Sequence, residues 1–215
     1  MKKFAVILCG CGAMDGSEIH EAVMTLLAID KQGSSYTIFA LDEPQHHVVN
    51  FITKEEMPET RNMMVEAARI ARGNIFPLTQ LDPTQFDAVV FPGGFGVAKN
   101  LCSYAFDGAK MQVHPLIAQI VRNTHALHIP IGALCIAPVL IAKILGDITI
   151  TVGDDATTIQ DVEQMGATHV ITRQTEVIAD KQNKIFSTPC YMLQASITDI
   201  AESAENLIKT LLENL

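Results

Sequence analysis

Apolar and polar positions along the chain follow two patterns that alternate from one end to the other. Continuous apolar runs of four to eight residues are typical of strands buried on both faces, and apolar residues repeated every three or four positions are typical of amphipathic helices. The runs predict strands at residues 4–8, 36–41, 75–78, 88–91, 129–134, 148–152 and 169–172, with a hairpin at 177–178 and 185–186. The periodic segments predict a first helix from Asp15 to Gly33, and further helices at residues 59–72, 114–127, 158–165 and 196–215.

This alternation of strands and helices predicts an α/β fold, with a mainly parallel sheet covered by helices on both faces. A chain of 215 residues without a linker or repeat is expected to form one domain over residues 1–215. The polar segment 42–57 has no clear periodicity and is predicted to be a functional or covering excursion. On the first helix, the expected buried face carries Ile19, Val23, Leu26 and Leu27.

Residues 129–142 are predicted to turn sharply from a short buried strand into a helix at Cys135. Pro138 suits the first turn of a helix that begins around Cys135 or Ile136, because proline lacks an N–H and its φ is already helical. A cysteine at such a turn points away from the sheet and lies at the positive end of the helix dipole, which favours a reactive thiolate. A plain buried cysteine is the alternative, since free cysteines are among the most buried residues.

The charge balance argues against several classes of partner. The chain has 15 basic and 24 acidic residues, for a net charge of −9, so neither nucleic acid nor an anionic membrane is expected to bind it. With 48% hydrophobic and only 18% charged residues, it has apolar surface to spare, which predicts a homodimer.

The cysteines predict neither a disulfide framework nor a metal site. There are five of them, at positions 9, 11, 102, 135 and 190, without a CxxC pair. This usage is typical of a reducing compartment, and the apolar run after Met1 is too short for a signal peptide. The sequence therefore predicts a cytoplasmic protein with no metal.

Three of the predicted strands end in residues that suit a ligand site: a glycine loop at residues 10–16, a second at 93–96, and Cys135. Parallel sheets of this kind bind ligands at the carboxyl ends of their strands, where all three features are expected. The backbone N–H groups of Gly93 and Gly94, with the amide that follows Cys135, would then form an oxyanion hole. Glycines that merely reverse the chain are the alternative.

The first glycine loop does not predict nucleotide binding. Asp15 stands where the dinucleotide fingerprint has its third glycine, and its charge would repel a pyrophosphate. Glu18 is more informative, because it lies near the start of the first helix and is expected to face Cys135. Its alternative role is capping, with Asp15 as the N-cap and Glu18 returning to the N-cap amide.

Five motifs in one order resemble the ElbB family, whose members are described as isoprenoid-biosynthesis or lycopene-enhancing proteins and as glyoxalases. The motifs are GAMDGSEIHE at residues 12–21, PGGFG at 92–96, AKNL at 98–101, CIAP at 135–138 and TPCYML at 188–193. The resemblance runs from end to end and lies within the ThiJ/PfpI and class I glutamine amidotransferase-like superfamily.

The resemblance implies a flavodoxin-like three-layer sandwich with Cys135 as nucleophile and Glu18 as its acid–base partner. It also implies a homodimer, no cofactor, backbone contacts from Gly93, Gly94 and Ile136, and a pocket that includes Asp15, Asn100 and Tyr191. These expectations concern the residues that match the family motifs.

Ile136 departs from the wider superfamily, where a histidine often follows the nucleophile. The departure argues against peptide or glutamine hydrolysis, since no motif places a histidine to protonate an amine leaving group. His20, His114 and His169 remain as histidines that could approach from elsewhere. The leading hypothesis is cofactor-independent conversion of a small α-oxoaldehyde, such as glyoxal or methylglyoxal, to a hydroxy acid. A regulatory protein that senses oxidants through Cys135 is the first alternative, and a deglycase is the second.

Overall fold

The computed structural model describes residues 1–215 and has a seven-stranded sheet at its centre. The strands are β1 (Lys3–Leu8), β2 (Ser35–Ala40), β3 (Val48–Val49), β4 (Glu56–Met57), β5 (Phe76–Pro77), β6 (Ala88–Phe91), β7 (Ile131–Leu134), β8 (Thr149–Ile150), β9 (Thr168–His169), β10 (Ile178–Asp180) and β11 (Ile185–Thr188). The helices are α1 (Ile19–Lys31), α2 (Met63–Ala71), α3 (Tyr104–Asp107), α4 (Pro115–Ala126), α5 (Ala137–Leu145), α6 (Ala156–Gln164) and α7 (Ile197–Glu213). None of these helices has the length and apolarity needed to cross a membrane.

The central sheet has the strand order β10-β11-β7-β6-β1-β2-β5 and is parallel except for β10, which runs antiparallel to β11. The predicted α/β class, with a mainly parallel sheet in a flavodoxin-like arrangement, is confirmed. Strands β7, β6 and β1 are neighbours, so the three special loops that follow them emerge side by side at one edge of the sheet. This adjacency is what assembles the site.

A continuous core of 54 buried residues includes both faces of the central strands, which explains why β1, β6 and β7 read as unbroken apolar runs. Helices α1 and α7 pack together on the sheet, and α4 and α5 pack together against β7. Gly132 of β7 allows α7 to approach closely, since a Cβ at this position would lie 2.9 Å from Leu211.

The first helix begins one turn later than predicted, at Ile19, with Glu18 as its N-cap. The preceding residues are held in a loop, because the Gly12 N–H donates to the Ser17 carbonyl at 2.8 Å and the Gly16 N–H donates to the Gly12 carbonyl at 2.7 Å. The prediction of the buried face of this helix is also wrong for three of its four residues, which are exposed. Its exposed members are Ile19 at 43%, Val23 at 41% and Leu27 at 43%.

A further region of predicted strands differs from the prediction, whereas segment 42–57 covers part of the molecule as predicted. Residues 148–152 and 169–172 contribute short strands, β8 and β9, which form a separate two-stranded sheet instead of joining the main one. Residues 42–57 contain the β3–β4 hairpin, and this hairpin covers the first glycine loop. The Val49 N–H donates to the Asp15 carboxylate at 2.9 Å, and the Phe51 ring lies against Gly12.

Candidate active site

Cys135 lies on a sharp turn between β7 and α5, as predicted. Its φ is +60°, a strained value for a side chain with a Cβ, and its N–H donates to the Thr188 carbonyl at 3.0 Å. Helix α5 begins two residues later at Ala137, with Pro138 in its first turn. The turn directs the thiol to the edge of the sheet where the loops after β1 and β6 also end.

Backbone N–H groups surround the sulfur of Cys135. The amides of Gly94 and Ile136 face it and favour its negative charge, and these are two of the three backbone groups that the sequence predicted. The third, Gly93, has another partner, because its N–H donates to Glu21 Oε2 at 3.0 Å. A side chain at Gly93 would collide with the Cβ of Cys135, so glycine is required here for the close approach of β6 and β7.

Glu21, and not Glu18, is the carboxyl group in contact with the Cys135 thiol. Glu21 is fully buried beside Cys135 and accepts the N–H groups of Gly93 at 3.0 Å and Tyr191 at 3.3 Å. Glu18 caps α1 by accepting the Glu21 N–H at 2.7 Å, and its side chain also lines the pocket. The sequence predicted a helix start one turn too early, which placed Glu18 instead of Glu21 opposite the thiol.

The pKa values of Glu21 and Cys135 are both raised. Burial and the neighbouring Glu18 raise the pKa of Glu21 to about 8. Burial and the Glu21 carboxylate raise the pKa of Cys135 well above its ordinary value, although the N–H groups of Gly94 and Ile136 act in the opposite direction. Two adjacent negative charges in a buried site repel each other, so the pair retains at least one proton at neutral pH. Burial thus outweighs the helix dipole that was expected to favour a free thiolate.

A pocket of about 440 Å³ opens over the thiol. Its lining residues are Ala13, Glu18, Gly94, Phe95, Tyr104, Cys135, Ile136, Asp155, Thr158, Tyr191 and Met192. Most of this lining is apolar, and the polar groups converge from a few side chains, which is typical of a small-molecule site. The volume suits a small substrate.

Tyr191 lies in this pocket, as the family motif implied, but Asp15 and Asn100 do not. Asp15 is buried beneath the hairpin, where it accepts the Val49 N–H. The Asn100 amide donates to the carbonyls of Cys9 at 3.1 Å and Asp15 at 3.0 Å, and accepts the His46 N–H. These two side chains hold the loops around the site together, and neither lines the pocket.

Of the three candidate histidines, His20 approaches the site. Its Nδ1 lies 2.8 Å from the Tyr191 hydroxyl and 3.9 Å from Glu18 Oε1. His114 is the N-cap of α4, and His169 lies in the separate β8–β9 sheet. No group of three or more His, Cys, Asp or Glu side chains is arranged to hold a metal ion.

No family model matches the chain, but comparisons with known proteins identify its relatives. The chain is 39% identical to the rat ES1 protein homolog, mitochondrial, over 98% of its own length and 83% of that protein. It is 37% identical to human glutamine amidotransferase-like class 1 domain-containing protein 3, mitochondrial, over 98% of its length and 82% of that protein.

Solved structures agree with this assignment. An isoprenoid biosynthesis protein with an amidotransferase-like domain from Ehrlichia chaffeensis superposes with a TM-score of 0.92 at 36% identity, covering 99% of this chain and 100% of that one. Drosophila melanogaster DJ-1beta, at 18% identity and a TM-score of 0.59 over 99% and 94% of the two chains, shares the fold.

The relatives also correct the predicted location. Three of them, from rat, human and zebrafish, are named as mitochondrial proteins, which contradicts the cytoplasmic location inferred from the cysteine content. Reduced cysteines indicate a redox environment and do not identify one compartment. The motifs, the fold and the relatives agree, and the chain belongs to the ElbB/ES1 family of class I glutamine amidotransferase-like proteins.

Proposed function

We propose that this protein converts small α-oxoaldehydes, glyoxal or methylglyoxal, into hydroxy acids without a cofactor. The observation that carries the proposal is the contact between the Cys135 thiol and the buried carboxyl group of Glu21, at a pocket where two backbone N–H groups face the sulfur. Glu21 takes the acid–base role that the family resemblance implied for Glu18, because Glu21 is the carboxyl group beside the thiol.

The reaction begins when Cys135 adds to the aldehyde carbon. In the reactive form of the pair the sulfur is anionic and Glu21 carries the shared proton. Attack forms the C–S bond of a hemithioacetal and places a negative charge on the aldehyde oxygen, which the N–H groups of Gly94 and Ile136 stabilise. Glu21 then donates its proton to this oxygen and becomes a carboxylate.

The hemithioacetal next rearranges to a thioester. The Glu21 carboxylate removes the proton from the carbon attached to sulfur and returns it to the neighbouring carbon, while the hydroxyl proton moves to the second oxygen. Water then cleaves the thioester, breaking the C–S bond, and releases glycolate from glyoxal or lactate from methylglyoxal. No electrons are exchanged with an outside reagent, which is consistent with a site that uses only a thiol and a carboxyl group.

Ile136 separates this chemistry from amide hydrolysis. An amide requires an acid that protonates a departing amine, and the position after the nucleophile holds an apolar side chain. Addition to an aldehyde and rearrangement of the adduct involve no amine leaving group. The proposal is therefore favoured over the glutamine hydrolysis that the relatives' names suggest.

The test is Cys135→Ala, assayed by loss of glyoxal and formation of glycolate. We expect glycolate formation to disappear, because no thiol is left to form the adduct. Cys11→Ala is the matched control, since Cys11 is partly exposed but does not line the pocket, and it should retain full activity. Equal glycolate formation by wild type and Cys135→Ala would exclude the mechanism.

Oxidant sensing is a second candidate that one feature favours. The N–H groups of Gly94 and Ile136 that face the Cys135 sulfur would also stabilise the oxygens of a sulfinate, and protonated Glu21 would donate a further hydrogen bond. Peroxide treatment followed by peptide mapping distinguishes the two functions. Selective oxidation of Cys135 in a protein with no glyoxal turnover would support sensing and exclude the enzyme.

We also propose that the protein is a homodimer. The support is the exposed apolar stripe on α1 formed by Ile19, Val23 and Leu27, each more than 40% exposed. Three large apolar side chains on one helix face are costly in water, and a second copy of the chain would bury them.

A further inference from the structure

A histidine and a tyrosine outside the Cys135–Glu21 contact form a hydrogen-bonded pair at the same pocket. His20 Nδ1 and the Tyr191 hydroxyl are 2.8 Å apart, and Tyr191 lines the pocket together with Cys135. Neither residue takes part in the addition or the rearrangement described above. The pair brings an imidazole to the site of a protein that lacks the histidine expected after its nucleophile.

Both members are positioned by the elements that build the site. Tyr191 lies in a short 3-10 turn directly after β11, next to Cys190, whose φ is +44°. The Tyr191 N–H donates to Glu21 Oε1 at 3.3 Å, so the turn is tied to the carboxyl group that contacts the thiol. His20 precedes Glu21 in the first turn of α1. Glu21 therefore links the His20–Tyr191 pair to the Cys135 thiol.

The charges around the pair suit proton transfer from the pocket to solvent. Burial and the nearby carboxyl groups of Glu18 and Glu21 raise the pKa of Tyr191, so this side chain stays neutral and keeps its proton for donation. Glu18 Oε1 lies 3.9 Å from His20 Nδ1, so a carboxyl group faces the ring nitrogen that would receive the proton. The His20 side chain is 47% exposed, so its other nitrogen can exchange protons with water.

The last step of the proposed reaction needs such a group. Hydrolysis of the Cys135 thioester requires a base that accepts a proton from the attacking water. Glu21 acts on atoms next to the sulfur but is poorly suited to activate a water in the pocket, because it is fully buried and, unlike Tyr191, does not line the pocket. Tyr191 lines the pocket and is hydrogen-bonded to the half-exposed His20, so the two side chains can pass a proton from the pocket to solvent.

We propose that Tyr191 and His20 form the proton relay that activates water for thioester hydrolysis, an inference that rests on the proposed function. As water forms its bond to the thioester carbon, its proton passes to the Tyr191 oxygen and the Tyr191 proton passes to His20 Nδ1. The C–S bond then breaks and the electron pair returns to the Cys135 sulfur. The carboxyl proton of the product acid passes to Glu21, which restores the proton that Glu21 gave to the aldehyde oxygen, and His20 releases its proton to solvent from Nε2. Tyr191 is the catalytic residue of this step, and His20 acts through it.

The test measures where the reaction stops in Tyr191→Phe, which removes only the hydroxyl group. We expect glycolate release to fall by about a hundredfold or more, the usual contribution of general acid–base catalysis, while the thioester accumulates on Cys135. Hydroxylamine traps the thioester as glycolyl hydroxamate, which a hemithioacetal does not form. Tyr104→Phe is the matched control, because Tyr104 lines the same pocket but its hydroxyl donates to Asp161 at 2.9 Å.

His20→Ala separates a chemical role from a structural one. We expect the same accumulation of thioester, and recovery of glycolate release when free imidazole is added, because the site of His20 is open to solvent. Tyr191→Phe should not be rescued. The relay is overturned if Tyr191→Phe loses no more activity than Tyr104→Phe, or if it loses activity without accumulating thioester.

These outcomes differ from a failure of the proposed function. If wild type forms no hydroxamate and consumes glyoxal no faster than Cys135→Ala, the enzyme proposal itself fails. If wild type turns over through Cys135 and Tyr191→Phe behaves as wild type, only the relay fails.

Discussion

Replacing Glu21 with glutamine should change the pH dependence of stability in a direction that the structure specifies. The pKa of Glu21 is raised from 4.5 to about 8 by burial and by Glu18. Between these two pH values the folded protein holds a proton on Glu21 and the unfolded chain does not, so unfolding releases a proton. The stability that this group contributes is complete below about pH 4.5 and is lost as pH rises to about 8.

The size of the effect follows from the same pKa values. One pH unit corresponds to about 1.4 kcal/mol for one proton, so the interval from 4.5 to about 8 corresponds to at most about 5 kcal/mol. Glutamine has nearly the same shape, keeps an acceptor oxygen and cannot ionise. We therefore expect Glu21→Gln to gain stability relative to wild type by roughly 1 kcal/mol for each unit of increasing pH across this interval.

Urea unfolding, followed by circular dichroism from about pH 5 to about pH 8, measures this difference directly. Titrating groups away from Glu21 are unchanged in both proteins and cancel. Glu66→Gln is the matched control, because Glu66 is also buried but its carboxylate pairs with Arg61 and Arg69, and its difference from wild type should not grow in this way. A Glu21→Gln difference that stays constant with pH would refute the reasoning, because Glu21 would then be ionised in the folded protein.

Two further predictions concern the backbone of the site and the surface of α1. Gly93→Ala should lower stability by about 1–3 kcal/mol in thermal unfolding and abolish glycolate formation. The reason is that the new Cβ would lie 2.5 Å from Glu21 Oε2 and collide with Cys135. A stable, active variant would contradict this packing. Val23→Glu should convert the proposed dimer to a monomer in light scattering by placing a charge in the apolar stripe. Ile171→Glu, at a position 71% exposed but outside that stripe, should leave the mass unchanged, and an unaffected mass in Val23→Glu would exclude α1 as the interface.

Much of the fold was predictable because the central strands are buried on both faces. Such strands appear as unbroken apolar runs, and β1 and β6 lie within one residue of their predicted bounds. The helix α7 was equally clear, since its apolar residues repeat along 17 residues and Ser196 caps its start. Long, strongly patterned elements are determined by their own residues.

Short elements and helix faces were less predictable. The start of α1 depends on the hydrogen bonds that hold residues 12–17 in a loop, and the local Asp15–Glu18 spacing resembles a cap that does not form. The apolar residues Val23 and Leu27 were expected inside, but the fold buries Glu21 and Thr25 on the other side of the helix. The face of α1 that is buried is the one that packs against α7.

The sequence alone determined the α/β class and the turn that presents Cys135, because the residues that form a strand, a sharp turn and a helix lie next to each other in the chain. Only the tertiary structure decided that Glu21 lies beside the thiol, and that the His20 ring meets the Tyr191 hydroxyl from 171 positions away. Those contacts depend on the register of a helix and on the order of strands in the sheet. Neither the helix register nor the strand order can be deduced from the residues that neighbour these positions in the chain.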